Sequence, residues 1–336
     1  MKLRVGINGF GRIGRGVLRV MSRREEIMEV VAINDLYSAE QLAYLLAYDT
    51  VMGPIHRPIS HERDALIVDG HRIQLFSERE PGRIPWGEVG ADLIVEATGV
   101  FRHREKIEPH LAAGAKRVIL TVPPKDEVDA IVVLGVNDHV LAPEHRIVSN
   151  ASCTTNCLAP VVKAIDDVIG FERGLITTVH AYTNDQRLAD VPHKDFRRAR
   201  AATQNLIPTT TGAARAVGKV LPHLKGRLDG RAVRVPVADG SVVDLLAEFK
   251  RETDVEEINA AVLQAAEGPM KSVLEYTEAP LVSSDIILNP HSSIFDARAT
   301  QRVGARQARL LAWYDNEWGY SNRVVDLSVR LAEMMQ

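Results

Sequence analysis

The sequence predicts an α/β protein of two domains, the first with a doubly wound parallel sheet and the second with a mostly antiparallel one. Three observations support this. The chain has 336 residues, which is long for a single hydrophobic core. Its first half alternates short Val/Ile/Leu runs with amphipathic stretches. Its second half contains longer β-branched runs.

The first half predicts alternating strands and helices. The runs typical of strands are residues 3–8, 30–34, 65–70, 72–76, 92–99, 117–122, 130–136 and 146–150. Helix-type spacing covers 11–24, 39–48 and 103–114. Several of the strands are almost continuous Val, Ile and Leu, which is typical of strands buried on both faces of a parallel sheet. The alternation therefore indicates a doubly wound sheet.

The second half has a different pattern. The predicted strands are 175–183, 231–237, 241–249 and 309–316, and the predicted helices are 153–168, 254–267 and 320–335. Thr253 and Glu256 form a capping-box pattern at the start of one helix. Strands clustered in this way indicate a mostly antiparallel sheet. Residues 184–210 are polar, rich in Arg and too long to be an idle connector.

Composition excludes several classes of protein. The chain is 46% hydrophobic and 25% charged, as expected for a globular protein and not for a disordered or fibrous one. The formal net charge of −3 gives no reason to expect DNA or an anionic membrane as the main partner. The start of the chain lacks a signal-peptide pattern, and two cysteines argue against a disulfide scaffold. We expect a cytoplasmic α/β enzyme or binding protein.

A glycine-rich turn joins the first strand to the first helix. Gly9 permits a tight turn, Gly11 lets a pyrophosphate approach the backbone, and Gly14 allows close packing of helix on strand. Asp35 ends the second strand, where a carboxylate binds the adenosine ribose and repels a 2′-phosphate. The turn residues expected to bind cofactor are Gly9, Phe10, Gly11, Arg12, Ile13 and Gly14. We predict a Rossmann-type domain that binds NAD; a tight turn without ligand is the alternative.

The segment from Ser149 to Cys157 is the densest cluster of reactive side chains in the chain. It reads Ser-Asn-Ala-Ser-Cys-Thr-Thr-Asn-Cys and leads into an apolar helix, so Cys153 falls near the first helical turn. A helix N-terminus lowers the pKa of a thiol by favouring the thiolate, which attacks carbonyl groups. Cys157 falls one turn deeper, where apolar neighbours keep a thiol protonated.

Three other interpretations apply to the two cysteines. A disulfide is geometrically poor for cysteines one helical turn apart. A zinc site needs two further ligands, and the sequence has no second His/Cys pair at ligand spacing, so we expect no metal. Two ordinary buried cysteines remain the third interpretation, which we prefer for Cys157 and keep as the alternative for Cys153.

His180 is the candidate partner of the thiol. It lies near the end of the predicted strand 175–183, where alternation places it on one face with Thr178 and Tyr182. An imidazole near the sulfur would increase its nucleophilicity and take a proton from an adduct. From the sequence alone, a structural hydrogen-bonding histidine is the alternative.

Together these motifs resemble the phosphorylating, NAD-dependent glyceraldehyde-3-phosphate dehydrogenases over essentially the whole chain. The matching segments are INGFGRIGR, SNASCTTNCLAP, HAYTNDQ, PHKDFRRARAATQNLIPTTTGAA, RAVRVP, NPHSSIFDA and WYDNEWGYSNRVVDL. In this order and spacing they are highly specific. The resemblance implies a Rossmann-type domain at 1–152, an α+β catalytic and oligomerisation domain at 153–316, and a helix at 317–336 that returns to the first domain.

The resemblance also implies roles for individual residues. Cys153 would attack the aldehyde with His180 as base, and the resulting thioester would be cleaved by inorganic phosphate. Thr183 and Arg234 would hold the phosphate of the substrate. The attacking phosphate would bind Ser152, Thr154, Thr211 and Gly212. The nicotinamide end of NAD would involve Thr121, Asn316 and Tyr320, with Asn316 bonded to the carboxamide.

The long segment 184–210 looks like the S-shaped loop of this family, which packs against a neighbouring subunit and implies a homotetramer. Val191-Pro192 within it resembles the NAD-dependent members. Its three clustered arginines, Arg197, Arg198 and Arg200, lack interleaved aromatic residues, so they are a weak signal for nucleic acid. Departures from the family pattern at Arg102-His103, 121–124 and 235–241 concern cofactor contacts.

Three functions follow as hypotheses. The first is conversion of D-glyceraldehyde 3-phosphate to 1,3-bisphosphoglycerate in glycolysis, reversible in gluconeogenesis. The second is the related erythrose-4-phosphate dehydrogenase activity, which usually departs from the HAYTNDQ pattern kept here. The third is a non-catalytic redox-sensing or RNA-binding role, for which Cys153 would be dispensable.

Overall fold

The structure, a computed structural model, describes residues 2–335, and these form two compact units. The first unit contains the residues up to Val132, residues 139–151 and the residues from Ser321 onward. The second contains Val133–Asp138 and Ser152–Tyr320. Each unit is built around its own sheet.

The first unit has a nine-stranded sheet. Its strands are β1 (Leu3–Asn8), β2 (Met28–Asn34), β3 (Ile59–Glu62), β4 (Ala65–Val68), β5 (His71–Phe76), β6 (Leu93–Glu96), β7 (Arg117–Leu120), β8 (Ala130–Ile131) and β9 (Ile147–Ser149). Their order is β3-β4-β5-β2-β1-β6-β7-β9-β8. The helices are α1 (Arg12–Met21), α2 (Ala39–Ala47) and α3 (Arg104–Ala112).

The sheet is parallel from β5 to β8, as the apolar runs predicted. The strands β6, β7 and β9 are buried along their whole length, which explains their almost uniform Val/Ile/Leu composition. At one edge, β3, β4 and β5 pair antiparallel, and the sequence did not predict β3. A doubly wound sheet is therefore confirmed, with an antiparallel edge added.

The strand predicted at 130–136 is wrong beyond Ile131. There the chain leaves the sheet: the Asn137 Oδ1 atom accepts a hydrogen bond from the backbone N–H of Val133 at 2.8 Å, and Gly135 adopts a φ of 78°. Because the Asn137 side chain accepts the Val133 N–H, this N–H does not bond to a neighbouring strand. Apolar composition alone did not reveal this turn.

The second unit has a seven-stranded sheet. Its strands are β10 (Phe171–Ala181), β11 (Ile207–Thr210), β12 (Leu228–Val235), β13 (Ser241–Phe249), β14 (Leu274–Thr277), β15 (Ser293–Arg302) and β16 (Gln307–Tyr314), in the order β11-β12-β10-β13-β16-β15-β14. The remaining helices are α4 (Cys153–Val168), α5 (Ala213–Val220), α6 (Val255–Glu267) and α7 (Trp318–Glu333). Only β10/β12 and β14/β15 are parallel pairs, so the predicted mostly antiparallel sheet is confirmed.

The predicted capping box of α6 is wrong. The helix begins at Val255, and its cap is Asp254, whose Oδ1 atom accepts a hydrogen bond from the backbone N–H of Glu257 at 2.8 Å. The Thr253 hydroxyl instead donates to the Glu257 carboxylate. Aspartate is as good an N-cap as threonine, and here it takes the position one residue later.

From Ser321 onward α7 belongs to the first unit, where the buried Arg117 guanidinium donates to the backbone oxygen atoms of Leu331 and Pro143. An arginine there satisfies carbonyl groups that the last turn of a helix leaves without partners. Between residues 2 and 335, no helix is long and apolar enough to cross a membrane.

Candidate active site

A cleft of about 380 Å³ lies in the first unit beside the carboxyl ends of β1, β2 and β6. The glycine turn, Asn34 at the end of β2, Asp35 after it, and Thr98 after β6 all line the cleft. The carboxyl ends of parallel strands form the crevice in which α/β sheets bind ligands. The cleft is therefore the candidate cofactor site.

The glycine turn has the shape that a pyrophosphate needs. Gly9 has a φ of 91°, and a Cβ on Gly14 would lie 2.1 Å from the Gly9 carbonyl oxygen. A Cβ on Gly11 would meet no atom within 4 Å, so this glycine faces open space. Gly11 is also the N-cap of α1 and makes no side-chain cap bond. The start of α1 is thus open to an anion at its positive dipole end.

The other predicted residues of this cofactor site have distinct positions. Asp35 accepts the backbone N–H of Phe10 at 2.7 Å and that of Tyr37 at 3.3 Å, which ties the carboxylate to the turn. The Phe10 side chain is buried and Ile13 is half-buried. Arg12 forms an ion pair with Asp49, and Thr121 is buried, donating to the backbone oxygen of Glu96 at 3.0 Å.

A buried polar network supports this cleft, and the sequence analysis missed it. The Glu96 carboxylate accepts hydrogen bonds from the Asn8 amide at 2.6 Å and the Thr98 backbone at 2.9 Å. His110 Nε2 lies 3.1 Å from the same carboxylate, while Trp86 Nε1 donates to His110 Nδ1 at 2.9 Å. Because Nδ1 accepts, Nε2 carries the proton and donates to Glu96. A lone glutamate ending the apolar run Leu-Ile-Val-Glu was the available signal.

In the second unit, Cys153 is the first residue of α4 and lies beside His180. The N-cap Ser152 accepts the backbone N–H of Thr155 at 3.1 Å, which fixes where the helix begins. His180 is buried at the end of β10, and its Nε2 atom is 3.6 Å from Cys153 Sγ. Both cysteines are free thiols, and Cys157 is buried, 3.6 Å from the Ser293 hydroxyl. The structure thus brings the predicted thiol and base into contact.

Arg234 lies next to His180 because β10 and β12 run parallel with these two residues in register. Its Nη1 atom is 2.7 Å from His180 Nδ1 and donates to the Ala181 backbone oxygen at 2.9 Å. The same oxygen is 2.7 Å from His180 Nδ1. The Arg234 Nε atom is buried and has no hydrogen-bond partner within residues 2–335. A buried guanidinium with an unmade bond suits an anion.

The other predicted phosphate-binding residues surround the start of α4 and α5. Ser152 Oγ is 2.8 Å from Thr155 Oγ1, and the buried Thr154 hydroxyl is bonded to the Tyr314 hydroxyl. Gly212 is the exposed N-cap of α5, where Thr211 Oγ1 accepts the Ala213 backbone N–H. Thr155 Oγ1 also donates to the Ala213 carbonyl at 3.4 Å, which links the two helix starts.

Thr183 and Asn316 lie beyond the ends of β10 and β16, the two strands that flank β13. Thr183 follows β10 and donates its hydroxyl to Asp185. Asn316 follows β16 and accepts a hydrogen bond on Oδ1 from the Ser241 hydroxyl at 2.6 Å, while Ser241 Oγ accepts the Ala181 backbone N–H. Tyr320 is buried in α7. The Asn316 side chain is therefore connected to the strand that carries His180.

Two domain models of one protein family match this chain. Residues 3–104 match the glyceraldehyde 3-phosphate dehydrogenase NAD binding domain, and residues 152–316 match the C-terminal domain. The chain is 52% identical over 330 residues to glyceraldehyde-3-phosphate dehydrogenase 2 of Streptomyces avermitilis, covering 98% of each protein. The chain belongs to the glyceraldehyde-3-phosphate dehydrogenase family.

Two further relatives show the same full-length similarity. The glyceraldehyde-3-phosphate dehydrogenase of Mycobacterium avium is 54% identical over 333 residues, covering 97% of this chain and 98% of the relative. Glyceraldehyde-3-phosphate dehydrogenase 2 of Bacillus subtilis is 53% identical over 337 residues, covering 100% of this chain and 98% of the relative. The cofactor of this member of the glyceraldehyde-3-phosphate dehydrogenase family is NAD, as the glycine turn and Asp35 predicted.

The protonation of the Cys153–His180 pair differs from the expectation. Burial raises the pKa of the Cys153 thiol, while the charge of Arg234 and hydrogen bonds with Thr154 act in the opposite direction. Desolvation of the thiolate outweighs the helix N-terminus, so the predicted lowering of this pKa is wrong for this state. Burial, and then Arg234, lowers the pKa of His180 to about 3.

Two departures of this chain from the glyceraldehyde-3-phosphate dehydrogenase pattern meet in the first unit. The Arg102 guanidinium donates two hydrogen bonds to the Pro123 carbonyl oxygen, at 3.1 and 2.9 Å. The Arg102 carbonyl accepts the Lys125 backbone N–H at 2.8 Å. Arg102 therefore holds the segment 121–125, so the two departures form one structural unit.

Proposed function

We propose that this protein converts D-glyceraldehyde 3-phosphate, NAD and inorganic phosphate to 1,3-bisphosphoglycerate and NADH. The observation that carries the proposal is the 3.6 Å contact of Cys153 Sγ with His180 Nε2 at the start of a helix. It occurs in a chain 52–54% identical to glyceraldehyde-3-phosphate dehydrogenases over their whole length. The reaction serves glycolysis and, in reverse, gluconeogenesis.

In the proposed mechanism, the Cys153 sulfur attacks the aldehyde carbon while His180 Nε2 takes the thiol proton. His180 Nε2, 3.6 Å from the sulfur, is placed to take this proton. In the tautomer that this step uses, His180 Nδ1–H donates to the Ala181 carbonyl, which also accepts from Arg234, and Nε2 faces the sulfur as an acceptor. His180 then returns that proton to the former carbonyl oxygen, and the product is a thiohemiacetal bonded to Cys153.

Oxidation then removes a hydride from the former aldehyde carbon and leaves a thioester. NAD, when bound, supplies the hydride acceptor. His180 takes the hydroxyl proton in this step, so the oxidised carbon keeps a C=O bond. A phosphate oxygen attacks the thioester carbon, the C–S bond breaks, and the sulfur regains a proton from His180. The thioester preserves the oxidation energy in the acyl phosphate.

Two anion sites are needed, because the substrate carries one phosphate and the attacking phosphate is a second. We assign the substrate phosphate to Arg234 and Thr183; the buried, unpartnered Nε of Arg234 supports this. We assign the attacking phosphate to the hydroxyl groups and helix starts around Ser152, Thr154, Thr211 and Gly212. Asn316 and Tyr320, with Thr121, are assigned to the nicotinamide end of NAD.

We also propose that the protein is a cytoplasmic homotetramer. Four large apolar side chains of the segment 184–210 support an interface: Phe196 is 88% exposed, Leu188 78%, Leu206 69% and Val191 47%. Light scattering of the purified protein should give four times the 37.1 kDa chain mass. A monomer at micromolar concentration would contradict the proposed assembly, and fractionation of cells tests the location.

The decisive experiment follows NADH absorbance with glyceraldehyde 3-phosphate in the presence and absence of phosphate. We expect phosphate-dependent turnover with NAD, little with NADP, and none in Cys153→Ser. Asp35→Asn should weaken the preference for NAD, because the ribose loses its charged acceptor. Faster turnover of erythrose 4-phosphate, or full activity of Cys153→Ser, would overturn the assignment.

A further inference from the structure

Two aspartates in the second unit are buried against each other. Asp239 precedes β13 and is 3% exposed, and Asp315 follows β16 and is 2% exposed. The register of β13 and β16 pairs Ser241 with Tyr314, so the two aspartates lie at adjacent strand ends, and each acts on the pKa of the other. Two ionised carboxylates held this close in a buried site repel each other, so one proton stabilises the pair.

The surrounding hydrogen bonds show which aspartate carries that proton. Asp315 accepts three backbone N–H groups, from Leu288 at 2.8 Å, Glu317 at 2.9 Å and Trp318 at 2.5 Å. Such a set of donors favours a carboxylate. The Asp239 Oδ1 atom accepts the Gly240 backbone N–H. The buried Oδ2 atom of Asp239 accepts no hydrogen bond from residues 2–335. The proton therefore belongs on Asp239 Oδ2.

We propose that Asp239 and Asp315 share a single proton and that this pair positions Asn316 for the reaction. Asn316 directly follows Asp315, and its side chain is bonded to Ser241, two residues after Asp239. The hydrogen bond between Asn316 and Ser241 thus joins the two backbone segments that carry Asp315 and Asp239. The catalytic consequence rests on the proposed function, in which Asn316 binds the nicotinamide carboxamide; the sharing of the proton does not.

Loss of the proton would place like charges together in a buried site. Glu317, at the start of α7, already acts on Asp239 by its charge, and the Cys153 thiol senses Asp239 as well. The ionisable side chain of the adjoining segment 282–288 is Asp285, which is exposed and bonded to the Val282 N–H. Burial and the charge of Asp315 raise the pKa of Asp239 to about 9. The pair therefore holds its proton at neutral pH and loses it in alkaline solution.

Asp239→Asn tests the shared proton directly. Asparagine is neutral, and its amide can donate to Asp315 as the protonated carboxyl does. Infrared spectra of the wild-type protein at pH 7 should contain a protonated carboxylic acid C=O band that disappears above pH 9 and is missing in Asp239→Asn. A wild-type spectrum without this band at pH 7 would refute the shared proton, whatever the variant does.

Stability gives a second measurement that does not depend on activity. The native state binds this proton more tightly than the unfolded chain, so stability falls as pH rises from an ordinary carboxyl pKa of about 4 towards about 9. Across this window the folding equilibrium constant of the wild type, divided by that of Asp239→Asn, should fall by up to about tenfold per pH unit. A constant ratio would contradict the proposal.

The positioning role is tested by steady-state kinetics between pH 7 and 10. The ratio of kcat/KM for NAD in Asp239→Asn to that in the wild type should rise about tenfold per pH unit above pH 9. The control, Asp285→Asn, removes an exposed aspartate from the neighbouring segment and should give a flat ratio. A flat ratio for Asp239→Asn refutes the positioning role, whereas a wild type without activity at any pH refutes the proposed function instead.

Discussion

The Nε2 atom of His180 lies 3.6 Å from the Sγ atom of Cys153, although the two residues belong to different elements. Cys153 is fixed by the start of α4, and His180 by the end of the long strand β10. The contact joins the proposed nucleophile to its proposed base, beside the Arg234 guanidinium. The expected chemistry of the protein follows from this contact.

The first prediction concerns the two reacting groups. His180→Asn should lower kcat by about 100- to 10,000-fold, because the thiol loses the acceptor of its proton. Cys153→Ser should remove measurable NADH formation. The matched control is Cys157→Ala: this thiol is buried one turn away, and burial raises its pKa, so turnover should persist. Equal loss in Cys153→Ser and Cys157→Ala would argue against the assigned nucleophile.

The second prediction concerns pH and Arg234. The positive charge of Arg234 lowers the pKa of both Cys153 and His180, so Arg234→Gln should raise both. Alkylation of the thiol by iodoacetamide should then reach its half-maximal rate at a higher pH than in the wild type. Arg231→Gln, an exposed position in the same strand, is the control and should leave the profile in place. Identical profiles for the two variants would contradict the predicted effect.

The third prediction separates folding from cofactor binding in the glycine turn. A Cβ at position 14 would lie 2.1 Å from the Gly9 carbonyl oxygen, so Gly14→Ala should lower the unfolding midpoint and NAD affinity together. Gly11→Ala meets no protein atom within 4 Å and should fold normally, while binding NAD more weakly because the methyl group obstructs the pyrophosphate. Titration calorimetry and thermal melts distinguish the two; normal NAD affinity in Gly11→Ala would be inconsistent with the site.

The fourth prediction tests the corrected helix cap. Asp254→Ala should destabilise the protein by about 1 kcal/mol, because the Glu257 N–H loses its acceptor. Glu256→Ala removes an exposed side chain that a capping box would have used, and it should shift the stability by less than about 0.5 kcal/mol. Urea denaturation of both variants is the measurement. A larger loss of stability in Glu256→Ala than in Asp254→Ala would support the capping box instead.

Much of the fold was predictable because it depends on local pattern. The continuous apolar runs identified β1, β6, β7 and β9, and β-branched runs identified β10 and β13. The strands β3, β11, β14 and β15 were missed because their sequences are short, polar or interrupted. Their pairing is stabilised by neighbouring strands that lie far away in the sequence, a contribution that no local window contains.

The sequence by itself determined the glycine turn and placed Cys153 at the start of a helix, because turn geometry and helix capping depend on a few adjacent residues. The tertiary structure alone decided that the thiol pKa is raised, since desolvation depends on everything packed around the sulfur. It also decided which residues meet: His180 with Arg234, through strand register, and Asp239 with Asp315, through the ends of two strands. These contacts depend on strand register and burial, and neither can be predicted from the spacing of residues in the sequence.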